Sequence, residues 1–167
     1  QLQDGDRVFL PNGVYDLGET VLTQVSANNV SLIGQSMEGV VIKNAPDAVN
    51  ESINNTATLL LTGNNIYLQD LTLQNALDYY KANNGRAVAL WDKGTHTICK
   101  NVRLLSYQDT YYSNKIGAVR YFEGGEIHGT VDYICGDGSV FFEDVLLYCE
   151  KRSSTGGGSD VITASNA

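Results

Sequence analysis

Two carboxylates and one guanidinium recur in this chain at a single interval: Arg86, Asp109 and Asp132 lie 23 residues apart in turn. Such a spacing juxtaposes side chains only if the backbone coils with the same period. In stacked parallel strands, counterparts in adjacent coils are then about 4.7–4.9 Å apart. Two carboxyl groups that close cannot both ionise cheaply, so one of them is pushed toward its protonated form. One becomes a proton donor and the other an anionic nucleophile or base, the division of labour that hydrolysis needs. Gln108 adds an amide beside the first aspartate, and Tyr111, Tyr112 and Tyr133 flank the pair. Aspartates also cap backbone amides at turns, and that role is open to both residues. A capping aspartate has no need of the neighbouring glutamine and tyrosines.

The elements that must position these residues are short strands. Helical periodicity is nearly absent. Instead, β-rich runs such as Val30–Ile33, Leu59–Leu61, Ile66–Leu68, Leu71–Leu73 and Ala87–Leu90 alternate with Gly, Asn and Asp turn signals. The runs repeat. Gly63–Leu73 lies over Gly94–Leu104 at an offset of 31, and Cys99–Asp109 lies over Phe122–Asp132 at 23. The difference matches the polar stretch 78–85, which reads as a loop inserted into one repeat. A period near 23, built of two or three strands and turns, predicts an all-β chain folded as a single-stranded parallel β-helix. Each coil buries an inward row of Leu, Ile, Val and Cys against the next. The whole of 1–167 then makes one domain of roughly seven coils. Strand patterns at both ends imply a partial stack that continues in a longer polypeptide.

Composition narrows the function. The 167 residues carry 19 Asp plus Glu against 11 Lys plus Arg, a net charge of −8. That excludes a general nucleic-acid binder, which needs a basic footprint. No apolar run reaches the roughly 18–20 residues of a membrane span. Cys99, Cys135 and Cys149 are odd in number and unpaired in spacing, so a metal site is not expected, and all three read as buried thiols. His96 and His128 read as structural or solvated, and Glu123 and Glu126 as solvated charges. The Ser- and Gly-rich stretch 153–159 reads as a turn, since no phosphate-loop ending follows.

Four segments carry a resemblance: Gly13-Val14-Tyr15, Gly85–Leu90, Tyr107–Tyr112 and Gly129–Gly136. In order, they are similar to four of the five motifs of the pectin methylesterases, G-x-Y-x-E, Q-A-V-A-L, G-Y-Q-D-T-L-Y and G-T-V-D-F-I-F-G. The fifth, L-G-R-P-W, would follow Ala167. The resemblance implies a right-handed β-helix and removal of methyl esters from galacturonan. It implies Asp132 as nucleophile, Asp109 as general acid and then base, and Gln108 as oxyanion donor. Tyr111, Tyr112 and Tyr133 could then offer rings or hydroxyls to the sugars. Trp91 could stack on a sugar or pack at a coil edge.

Some positions depart from the pattern. Arg86 stands where the family has glutamine, and either donates to the oxyanion or pairs with Asp109. Leu17 replaces a glutamate, and Tyr133 and Cys135 replace two phenylalanines. The arginine that orients the nucleophile in the family lies in the absent fifth motif, so activity of this piece alone is expected to be weak. The resemblance implies no metal or organic cofactor and methyl-esterified homogalacturonan as partner. It implies a monomer, and a secreted or periplasmic location inferred from the substrate. Two other readings stay open: a non-catalytic polysaccharide-binding β-helix, and a calcium-dependent lyase on the same fold.

Overall fold

Short β-rich runs punctuated by residues tolerant of left-handed backbone produce a stack of parallel strands. The computed structural model describes residues 1–156 and 158–166, and among them sixteen strands and no helix. They are β1 (Arg7–Leu10), β2 (Gly13–Asp16), β3 (Thr23–Val25), β4 (Ser31–Gly34), β5 (Val40–Asn44) and β6 (Leu59–Leu61). Then come β7 (Ile66–Asn75), β8 (Leu90–Asp92), β9 (His96–Leu105), β10 (Tyr111–Ser113) and β11 (Val119–Glu123). The last are β12 (Glu126–Gly129), β13 (Val131–Gly136), β14 (Ser139–Glu143), β15 (Leu146–Cys149) and β16 (Val161–Ser165).

The strands pair as three faces of a right-handed parallel β-helix. Face one runs β1-β4-β7-β9-β11-β14 and face three runs β3-β6-β8-β10-β13-β16. Face two is made by β2, β5, the second halves of β7 and β9, then β12 and β15. The ten-residue strands β7 and β9 serve two faces because each bends midway, at Asp70 (φ 52°) and Asn101 (φ 51°). Asn and Asp tolerate this left-handed conformation better than other residues with a side chain. The corner residues also ladder between coils: Asn101 Nδ2 donates to Asp70 Oδ1 at 2.6 Å.

Successive steps along face one are 24, 36, 31, 23 and 20 residues. Stretch 78–85 is therefore a loop, as its polarity suggests. A second and longer insertion, spanning about 45–58, is not visible in the repeat. It has no repeat partner and carries no regular alternation. With two long turns, each sheet path is six rungs deep among the described residues, where even division by 23 expects about seven.

The core is a column of Leu, Ile and Val from all three faces, with Leu68, Leu71, Leu73, Leu90, Leu104 and Ile127 fully buried. Cys99 is buried within it, Cys135 is buried outside this column, and Cys149 is exposed. Polar side chains also enter the stack. Asn44 and Asn75 occupy paired positions on adjacent rungs, and each is buried. Asn75 Nδ2 donates to the carbonyls of Thr56 (2.8 Å) and Val88 (2.9 Å), tying both inserted turns to the stack. Asn75→Ala would remove both bonds and leave the buried Leu77 N–H, which donates to Asn75 Oδ1 at 3.1 Å, without its acceptor. It is expected to cost about 1–3 kcal/mol of stability, read as a lower urea midpoint at unchanged slope. An unchanged midpoint would show that the ladder is dispensable.

Candidate active site

Face three carries the residues with chemistry. Leu90 pairs with Tyr111 and Tyr111 with Ile134; Trp91 pairs with Tyr112 and Tyr112 with Cys135. Because successive residues point to opposite sides of a strand, the first row faces the core and the second faces out. Tyr111 is accordingly fully buried, edge-on to Phe122 at 4.9 Å. Tyr133 is also fully buried, its hydroxyl 3.8 Å from Cys149 Sγ. Neither has surface to offer a sugar, so the substrate contacts expected of both are corrected to core packing.

Trp91 is 8% exposed. It packs with Ala57, Leu60 and Val88 under the 45–58 insertion, stacks on Tyr112 at 5.5 Å and carries the Lys93 ammonium over its ring. The coil-edge reading therefore describes it, rather than stacking on a sugar. Tyr112 is the tyrosine that reaches the outer surface, half-buried beside the carboxylates.

Asp109 and Asp132 sit at the corner that opens face three, with φ 58° and 51°. This is the corner conformation that Asp70 and Asn101 also adopt, and it fixes where the two side chains start. Elsewhere in the chain, Asp4, Asp16, Asp47 and Asp92 accept hydrogen bonds from nearby amides. Among the described residues neither Asp109 nor Asp132 does so, which removes the turn-cap explanation. Both line one cavity of about 390 Å³, with Arg86, Ile53, Tyr112 and Cys135 and the segment 164–166.

Asp109 is 5% exposed. Burial, reinforced by the charge of Asp132 and opposed by Arg86, pushes its carboxyl up to about 7. The Arg86 guanidinium stands 4.0 Å from Asp109, with its side chain 47% exposed. Its backbone is bridged to Gln108, one residue short of the 23-residue step. The arginine is therefore offset from the aspartate column, and Gln108 occupies the paired position beside it. Gln108 is partly buried and does not line the cavity itself.

Several residues were not legible as site components. Ile53 comes from the second insertion, which has no partner in the repeat, so no spacing points to it. His128, expected to be solvated or structural, lies between Glu126 (2.9 Å) and Glu150 (2.8 Å) and stacks on Tyr148. Glu126 is therefore a partnered charge, and so is Glu123, which contacts Lys100 at 3.0 Å. His96 is exposed. The stretch 153–159 includes Gly157, which lies outside the described residues; around it, Ser153 and Gly156 form a turn.

The comparisons agree with this geometry. The family model described as Pectinesterase matches residues 4–167. A pectinesterase/pectinesterase inhibitor of Ficus pumila var. awkeotsang is 30% identical over 158 residues, covering 94% of this chain and 27% of that protein. Probable pectinesterase 30 of Arabidopsis thaliana is 31% identical over 160 residues, 94% of this chain and 30% of its own length. Among solved structures, a pectin methylesterase from Yersinia enterocolitica superposes with a TM-score of 0.84 at 28% identity, over 99% of this chain and 57% of that one. A pectin methylesterase in complex with a hexasaccharide gives 0.80 at 25% identity, over 98% of this chain and 52% of that one. The chain thus spans under a third of the length of these curated relatives. A match from residue 4 to residue 167, on a β-helix with two aspartates in one cleft, means that the chain belongs to the pectinesterase family.

Proposed function

We propose that the protein hydrolyses methyl esters of galacturonan, with Asp132 as nucleophile and Asp109 as the acid and base. The observation that carries this reading is the pair of carboxyls lining one cleft, of which Asp109 is buried and pushed up to about 7. In the first half-reaction a carboxylate oxygen of Asp132 attacks the ester carbonyl carbon. The resulting oxyanion collapses, the bond to the methoxy oxygen breaks, and Asp109 delivers its proton to the departing methanol. Asp109, now ionised, takes a proton from water, which attacks the acyl-enzyme and restores both aspartates. The family resemblance gives Gln108, whose backbone is bridged to Arg86 rather than lining the cavity itself, the role of amide donor to the oxyanion, a contribution on the order of 10²–10³ in rate. The Arg86 guanidinium is a second donor and also a cation that limits the rise of the Asp109 carboxyl.

Methyl-esterified homogalacturonan is the substrate this reading assigns. The hexasaccharide bound to a similar pectin methylesterase supports an oligosaccharide in the cleft. Tyr112 is the tyrosine placed to meet it. A polymeric substrate places the working protein outside the cytoplasm, and one cleft per chain suffices for a monomer. The test is release of methanol from highly methylated pectin by the intact natural polypeptide; no release would overturn the reading.

The net charge of −8 leads to a further expectation. A cleft on an anionic protein repels a de-esterified polyanion, and more so at low salt. Methylated oligomers are expected to bind more tightly than de-esterified ones, with the gap narrowing as salt rises. Equal affinities at low salt would contradict this. A second reading, a β-helix that binds the polysaccharide without chemistry, is favoured by the arginine at position 86. Pectin binding without methanol release would select it.

A further inference from the structure

The 45–58 insertion does more than lengthen a turn. From it, Glu51 reaches the 78–85 loop, is 4% exposed, and accepts hydrogen bonds through Oε1 from the backbone N–H groups of Asn84 and of Gly85, the latter at 2.8 Å. Its other oxygen, Oε2, is buried without a partner. Burying a carboxylate with one oxygen unsatisfied is costly, and such a group needs an explanation beyond packing.

What the carboxylate grips is the turn before Arg86. Gly85 has φ +78°, and a Cβ there would stand 2.5 Å from the Tyr79 ring, so this turn has little freedom to move or to accept another residue. The next residue is Arg86, whose backbone is bridged to Gln108 and whose guanidinium faces Asp109 at 4.0 Å. The Arg86 side chain is half exposed, and Asp109 is the carboxylate it meets among the described residues. Its placement at the cleft therefore depends on where the backbone starts it.

We propose that Glu51 is a positioning residue for ester hydrolysis, clamping the Asn84–Gly85 backbone so that Arg86 is held against Asp109. The proposal rests on the reading of Asp109 and Asp132 as the reacting pair. Glu51 itself does not touch the cleft, whose wall from the same insertion is Ile53. Its carboxylate acts through two amides on a residue 35 positions away in sequence.

The test is kinetic, on the intact polypeptide with methylated pectin. Glu51→Ala removes both acceptor bonds and is expected to lower kcat about 10- to 100-fold with little change in KM, as a small misplacement of a reacting-site group does. Glu51→Gln keeps a carbonyl oxygen for the two amides and is expected to stay near wild type. In an Arg86→Ala background, Glu51→Ala is expected to add no further loss. The high-pH limb of the kcat profile should also move to higher pH in Glu51→Ala. Arg86 favours the ionised form of Asp109, and its withdrawal, with Asp132, Tyr112 and Cys135 still facing that carboxyl, keeps the acid protonated longer. A purely structural role would lower the melting temperature and multiply with Arg86→Ala while leaving the limb in place. That result, or wild-type kcat in Glu51→Ala, would overturn the proposal. If Glu51→Ala does not fold, Glu51→Asp, too short to hold both amides in the same geometry, is read by the same criteria. An inactive wild-type polypeptide would instead overturn the reading of the site.

Discussion

Replacing Asp132 with alanine is expected to cut methanol release from highly methylated pectin by on the order of 10⁴-fold or more, as loss of a nucleophile does in other covalent hydrolases. The effect is large because no neighbour can take over. Asp109 is the other carboxyl in the cleft, and it is pushed up to about 7 and needed as the acid. Fold and chemistry must be separated in this experiment. Asp132 has φ 51°, where alanine is disfavoured by about 1–2 kcal/mol. Asparagine tolerates that conformation and matches the aspartate in shape, so Asp132→Asn should keep wild-type stability and still be inactive. Wild-type release by a folded Asp132→Asn would sink the nucleophile assignment. Loss of activity only in the alanine variant, with a lower melting temperature, would point to backbone strain instead.

Asp109→Asn should slow the reaction by about 10²–10⁴-fold, the usual contribution of a positioned general acid. Its pH behaviour is more diagnostic. Because the carboxyl is pushed up to about 7 and must be protonated to expel methanol, wild-type kcat should decline as pH rises through about 7. Any remaining activity of the asparagine variant should lack that limb. Stability should fall over the same rise in pH. In the unfolded chain Asp109 ionises near its ordinary value of 3.8, whereas in the folded chain it holds its proton to about 7. Between those values the folded state binds more protons, so stability falls as pH rises and levels off above about 7. Asp109→Asn removes that cost and should be more stable than wild type at pH 8, by on the order of 2–4 kcal/mol. A less stable variant at pH 8 would mean that the carboxylate is held by favourable contacts, contrary to its burial beside Asp132.

The two aspartates were legible because their spacing is the coil period itself. Asp109 and Asp132 lie on adjacent coils with no insertion between them, and the step from Tyr111 to Ile134 keeps the same 23 residues. Local residue types carried the fold as well: Asn and Asp at the left-handed corners and aliphatic rows between them. Where a turn is free to lengthen, that legibility ends. Loop closure grows only slowly more costly with length, so nothing in the repeat constrains the 45–58 insertion. Ile53, which lines the cleft, and Glu51, which holds the Asn84–Gly85 turn beside it, were invisible for that reason. Next to the 78–85 loop, Arg86 is likewise shifted by one residue, pairing with Gln108 where the period alone puts it under Asp109.

Side-chain direction is the other matter that only the tertiary structure decided. In a strand a one-residue shift exchanges core for surface, so tyrosines one position apart have opposite fates: Tyr111 is buried and Tyr112 reaches the cleft. Tyr133 follows a left-handed aspartate that breaks the alternation, and it turns inward too. The sequence by itself determined which carboxylates meet, since period and corner residues are local properties of the chain. The tertiary structure decided what surrounds them, because the loops that wall the cleft and the register that aims each ring depend on contacts between distant residues.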